Sequence, residues 1–205
     1  MSNAIIIIDV GAINKEDHRR VINTNILSLL DNIRCPVIFS YYFNNNTDEE
    51  WDKNIIDEKV YMACKHSPAL YNNGSGFYET ENRIVIDPRI FDHEAEAIKF
   101  LNNYNVKNLY FCGYSLPGCV FNRPLGIRNF KRLGFNCSAI LDICIPGHTI
   151  RGDGEIISLI HAQYKFCKSL DIPIVYHEMF NKDGSIENYP PFTDEMSKKL
   201  EYYYE

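Results

Sequence analysis

No stretch of this chain approaches the ~20 apolar residues that a membrane-spanning helix needs; the aliphatic run Ala4-Ile5-Ile6-Ile7-Ile8 is closed at once by Asp9. Basic residues are neither in excess nor clustered. Lys and Arg number 21 against 27 Asp and Glu, for a formal net charge of -6. That excludes the electrostatic footprint of a nucleic-acid binder and weakly repels an anionic membrane. No Cys-x-x-Cys pair occurs among Cys35, Cys64, Cys112, Cys119, Cys137, Cys144 and Cys167, which argues against structural zinc. An odd, dispersed set of cysteines, with no basic leader ahead of the first apolar run, reads as reduced thiols in a cytoplasmic setting. Internal repeats and low-complexity segments are also missing. What remains is a globular composition, 45% hydrophobic and 13% aromatic over 205 residues, which implies one domain spanning 1–205. Its core covers residues 4–180, and residues 181–205 form a polar tail.

Short apolar runs alternate with helix-length segments. The runs at residues 4–8, 36–41, 83–86, 108–112, 135–141 and 172–176 are rich in β-branched and aromatic residues and are bounded by turn formers. Runs apolar on both faces suit the strands of a buried parallel sheet. Helical spacing of apolar residues marks 16–32, 93–104, 120–133 and 155–170, with Gly134 placed as a C-cap. This pattern predicts a three-layer α/β/α sandwich around a six-stranded, mainly parallel, Rossmann-like sheet. Residues 44–82 break the alternation, being polar and rich in Asn and Tyr; the pattern there predicts a helix near 48–65 followed by a loop over one end of the sheet.

Ligands of open α/β sheets bind beyond the carboxyl ends of the strands. Asp9 closes the first run and Asp87 the third, and Gly113-Tyr114-Ser115-Leu116-Pro117-Gly118-Cys119 follows the fourth. Cys119 thus opens a helix on a glycine-flanked turn. A thiol there feels the positive end of the helix dipole, and nearby backbone N–H groups can hold an oxyanion. Equally, a cysteine in that place can be a small apolar residue filling the turn. Tyr41, Tyr42, Trp51, Phe77 and Tyr78 are pocket-lining or ordinary packing aromatics. Arg123, Arg128 and Arg151 are carboxylate holders or solvated charges, and His66 and His93 stand isolated.

The segment Leu109-Tyr110-Phe111-Cys112-Gly113-Tyr114-Ser115-Leu116-Pro117-Gly118-Cys119-Val120, then a helix, Gly134 and Ala139-Ile140-Leu141-Asp142, resembles the nucleophile region of isochorismatase-like cysteine hydrolases. Ile5-Ile6-Ile7-Ile8-Asp9-Val10 resembles that family's first strand and Cys35-Pro36-Val37-Ile38-Phe39-Ser40 its second, so the likeness spans most of residues 4–180. It implies a six-stranded parallel sheet, frequent homo-oligomers, and hydrolysis of small amides such as nicotinamide or N-carbamoyl compounds, or of the vinyl ether of isochorismate. It makes Asp9 the general base and Cys119 the nucleophile, and gives the oxyanion hole to the N–H groups of Ser115 and Cys119, with a cis peptide at Tyr114-Ser115. Tyr41, Tyr114 and Arg89 become substrate contacts. No cofactor is implied. The zinc site of nicotinamidase-type members has no counterpart in Ser40-Tyr41-Tyr42-Phe43-Asn44, which lacks histidine.

The chain departs from the family at one place. The family's third catalytic residue is a lysine after the third strand, and this sequence has Asp87 there. An ammonium favours a thiolate, whereas two carboxylates beside a thiol oppose it and tend to share a proton. Arg89, Lys65 or Lys99 would have to supply the missing charge. Two readings follow: a hydrolase of a small molecule using Cys119, or a retired member kept as a ligand-binding or oligomerisation module.

Overall fold

The computed structural model describes residues 2–8, 25–26, 28–40, 77–79, 82–86, 93–114, 116–145, 155–187, 193 and 195. Seven strands make one sheet: β1 Ser2–Ile8, β2 Val37–Ser40, β3 Phe77–Glu79, β4 Arg83–Ile86, β5 Val106–Tyr114, β6 Asn136–Ile145 and β7 Ile174–Val175. Their order is β3-β4-β2-β1-β5-β6-β7. β1, β2, β4, β5, β6 and β7 run parallel; they are the six runs expected from the sequence. The seventh strand, β3, is antiparallel to β4 and lies within the segment expected to be a loop.

β1 sits at the centre. Ala4 to Ile8 have no solvent exposure at all, which is why that run is aliphatic at every position instead of alternating. In β5, consecutive side chains go to opposite faces. Phe111 packs on Phe130 of the helix Ile127–Arg132, centroids 6.0 Å apart, while Tyr110 meets Phe180 edge-on at 5.0 Å. Among the described residues the α-helices are His93–Asn103, Cys119–Asn122, Ile127–Arg132 and Glu155–Ser169, with further helical residues at 25–26 and 28–32, and His177–Met179 form a 3-10 turn.

The helix expected over 120–133 is two helices. Pro124 cannot continue the first and forces the residue before it out of the helical region; Arg123 accordingly has φ -60° and ψ 157°. Gly126 then caps the second helix at a point where a Cβ would lie 2.8–2.9 Å from the carbonyl oxygens of Val120, Phe121 and Arg123. Gly134 ends it at φ +88°, as its C-cap role requires.

Residues 177–187 were expected to fall partly in a polar tail, but they fold back as a strap. Phe180 bridges to Ile186, and the strap's tip meets the amino ends of the central strands. Arg34 N donates to Lys182 O at 2.8 Å, and Asn3 Nδ2 to Gly184 O at 2.6 Å. The same amide leads a ladder of side chains, with Asn108 Nδ2 donating to Asn3 Oδ1 and Asn136 Nδ2 to Asn108 Oδ1, each at 2.9 Å.

At the other end of the sheet β1 and β5 come unusually close. Gly113 has φ +111°, and a Cβ on it would stand 2.1 Å from Ile8 O. No side chain fits there. Gly113→Ala is expected to cost at least about 2 kcal/mol, from strain and collision together. Gly134→Ala, where nothing lies within 4 Å of the added carbon, is expected to cost about 1 kcal/mol from its φ alone. Urea denaturation of the two variants checks the ranking.

Candidate active site

The parallel register lines up the carboxyl ends of four strands. Ile86 of β4 pairs with Ser40 of β2, Ser40 with Ile8 of β1, and Ile8 with Gly113 of β5. Asp87, Tyr41 and Asp9 each follow a member of this row by one residue in the sequence. The row therefore gives one origin to the chain segments that carry the sequence-predicted residues. Asp9, Tyr41, Asp87, Arg89 and Ser115 lie outside the described residues, as do Lys65, His66 and Arg151. Tyr114 is the last residue of β5.

Beyond β5 the turn Leu116–Gly118, with a cis Leu116–Pro117 peptide, delivers Cys119 to the first position of its short helix. The expected Tyr114-Ser115 cis bond involves a residue outside those described. Val120 is fully buried and roots the helix in the core, and Phe121 packs edge-on against Phe166 at 5.1 Å. Asn122 ties the turn from below, its Nδ2 donating to Pro117 O at 3.2 Å and Gly118 O at 3.3 Å. Arg128 holds the Asn122 Oδ1 at 3.0 Å, which fixes that exposed guanidinium as a brace for the turn. The helix has only four residues, so the dipole acting on Cys119 is smaller than a helix over 120–133 would give.

Accessibility separates Cys119 from the other described cysteines. Cys35, Cys112, Cys137, Cys144 and Cys167 are buried, and Cys119 is half-buried. Burial pushes the thiols of Cys35, Cys137 and Cys167 up to about 12, and it raises Cys112 and Cys144 as well. None of those five is a nucleophile near neutral pH. Of the basic side chains suggested as stand-ins for the family's lysine, Lys99 is on the helix His93–Asn103, largely exposed and 3.6 Å from Glu96. Among the described residues no three side chains group as metal ligands, and no helix is long and apolar enough to cross a membrane.

The sequence reading missed a half-buried acid–imidazole pair. Asp142 of β6 contacts His177 Nδ1 at 2.5 Å and accepts the His177 backbone N–H at 3.1 Å. The two residues are 35 positions apart, and nothing local in the sequence announces the pairing. It missed Ser40 too. That side chain is fully buried in the row of strand ends, and its Oγ has no hydrogen-bond partner among the described residues.

A limiting amount of iodoacetamide at neutral pH is expected to label Cys119 ahead of the five buried cysteines by at least about tenfold, since thiolate fraction falls tenfold per unit of pKa. Peptide mass mapping reads the order. Labelling of any of the five at a comparable rate would contradict this account of the thiols.

No protein-family model matches the sequence, and neither does any curated protein. In structure the chain is similar to nicotinamidase PncA from Bacillus subtilis, with a TM-score of 0.53 and 15% identity over 86% of this chain and 100% of that one. N-carbamoylsarcosine amidase from Thermoplasma acidophilum aligns with a TM-score of 0.49 and 10% identity, over 87% of this chain and 98% of its own. At 15% identity what is shared is architecture: the chain has the α/β sandwich of the nicotinamidase, the fold that its resemblance to isochorismatase-like hydrolases implies.

Proposed function

We propose that this chain is an isochorismatase-like hydrolase of a small amide or related substrate, with Cys119 as its nucleophile. The observation that carries the reading is the contrast among the thiols: of the six described cysteines, the one that is not buried is the one in the turn beyond β5. Fold likeness to a nicotinamidase supports the same chemistry.

In this reading the Cys119 sulfur attacks the amide carbon. Asp9 takes the thiol proton and gives it to the leaving nitrogen as the C–N bond breaks. The N–H groups of Ser115 and Cys119 bind the oxygen while it carries negative charge. Water then cleaves the thioester, releasing a carboxylic acid and restoring the thiol. Tyr41, Tyr114 and Arg89 are assigned to substrate contact, and no cofactor enters. The carboxylate of Asp87 works against a thiolate, so the turnover expected is slow at neutral pH.

That same aspartate favours a second reading, a family member that binds a small molecule without turning it over. Ammonia release from a panel of primary amides and N-carbamoyl compounds separates the two. The hydrolase reading expects turnover on at least one compound and a loss of at least about a thousandfold in Cys119→Ala. Silence across the panel, followed by activity in Asp87→Lys, would establish the retired form. Turnover that survives Cys119→Ala would overturn the role given to the cysteine.

A further inference from the structure

The Asp142–His177 pair takes no part in the reaction proposed above. It stands where the chain leaves the sheet. β7 pairs with β6 through Ala139–Ile174 and Ile140–Val175, and two residues later the backbone N–H of His177 turns onto the Asp142 carboxylate. The side chains are 15% and 7% exposed. From this root the strap 177–187 runs to the amino ends of β1 and β2, covering core surface on the way. Phe180 lies on Tyr110. Met179 is buried. Gly184 sits so tightly on Cys35 that a Cβ would come 2.7 Å from its sulfur. Within the strap the main-chain bonds are Phe180 N to His177 O at 3.4 Å, Glu187 N to Met179 O at 3.3 Å, Asn181 N to Ser185 O at 2.9 Å and Gly184 N to Asn181 O at 2.8 Å, and the tip is tightened by Asp183 Oδ1, which accepts from Ser185 N and Oγ, and by Asn181 Nδ2, which donates to Ser185 Oγ.

We infer that Asp142 and His177 form a proton-operated latch that holds the strap 177–187 against the sheet most firmly when the imidazole is charged and relaxes it when the imidazole is neutral. The warrant is the geometry. One carboxylate, itself buried, fixes both the backbone and the ring of the first strap residue, and the ring is half-buried, so water screens the attraction less than it would at the surface. Deprotonation leaves the hydrogen bond and removes the attraction.

The groups around the imidazole assign the charge to this pair. Asp142 reaches it from β6 and Glu178 from the strap itself. Tyr176 precedes it and is pushed up to about 12 by burial and by Asp142, so it stays neutral. Cys112 of β5 and Cys144 of β6 also feel Asp142, and burial keeps them neutral thiols. Burial of His177 pulls its pKa down, but the bond to Asp142 and the charges of Asp142 and Glu178 outweigh that and raise it above the ordinary imidazole value. A group raised on folding stabilises the folded form below its ordinary pKa, and the contribution is lost as pH climbs through the raised one. The latch therefore opens on the alkaline side.

Hydrogen exchange of the full chain, corrected for the intrinsic pH dependence of exchange, tests this between about pH 5.5 and about pH 8.5. Protection of the strap amides of Asn181, Gly184 and Glu187, and of Arg34 N–H beneath them, is expected to fall across that range. The fall is about tenfold for each unit by which His177 is raised. Amides of Ile6 and Phe111 in the core keep constant protection. His177→Asn, which places an uncharged donor near the position of Nδ1, is expected to hold strap protection flat with pH, and Asp142→Asn to do the same should His177→Asn fail to fold. Constant strap protection in the unaltered chain overturns the latch. So does the same slope in the variants, or a parallel fall of strap and core.

Discussion

Ile5, Ile6, Ile7 and Ile8 are closed to water on both faces of β1. A backbone sealed in that way must satisfy every N–H and C=O within the protein, and only a strand on each side can do it. β2 and β5 supply those bonds in continuous parallel register. Parallel neighbours need long connections, which become the covering helices. The architecture thus descends from one run of four isoleucines, and so does the location of the chemistry, because parallel strands all end at the same side.

How close the ends come is decided by a single hydrogen atom. Gly113 lets β5 press onto the carbonyl of Ile8, and six residues later the chain presents Cys119. A wider separation there would move the thiol relative to whatever follows Ile8. The brace made by Asn122 and Arg128 works on the same problem from the far side of the turn, holding the loop by its carbonyls. Arg128, which in the sequence is either a carboxylate holder or a solvated charge, is thus committed to the turn.

The parts legible in the sequence were those that burial writes into consecutive residues. A strand covered on both faces has to be apolar throughout, so β1, β2 and β5 announce themselves. Cys119 was legible because glycines and a proline mark the turn after such a run. Pro124 sits inside a good helical pattern, and the apolar spacing of Leu125, Ile127 and Phe130 masked the break it makes. β3 is three residues of an edge strand, too short to carry periodicity. The strap was unreadable for another reason: it is held largely by main-chain groups, by asparagine amides and by a glycine, none of which advertises burial. Asp142 and His177 meet only because β6 and β7 are neighbours. And cysteines look alike in a sequence; which of the six described ones reaches solvent is a property of the packed core.

The bond from Asn3 to Gly184 joins residues 181 positions apart, and that spacing has a consequence for biosynthesis. β1 emerges first from the ribosome, yet its β5 partner is a hundred residues behind it, and the amide ladder at its amino end closes only after residue 184 has been made. Formation of such distant contacts carries a large loop-closure cost and is slow. Until β5 has been made, an aliphatic strand at 4–8 would lack its neighbour on one side, the kind of segment that adheres to other chains. The stretch 4–8 is therefore where a chaperone would have the most to protect during synthesis.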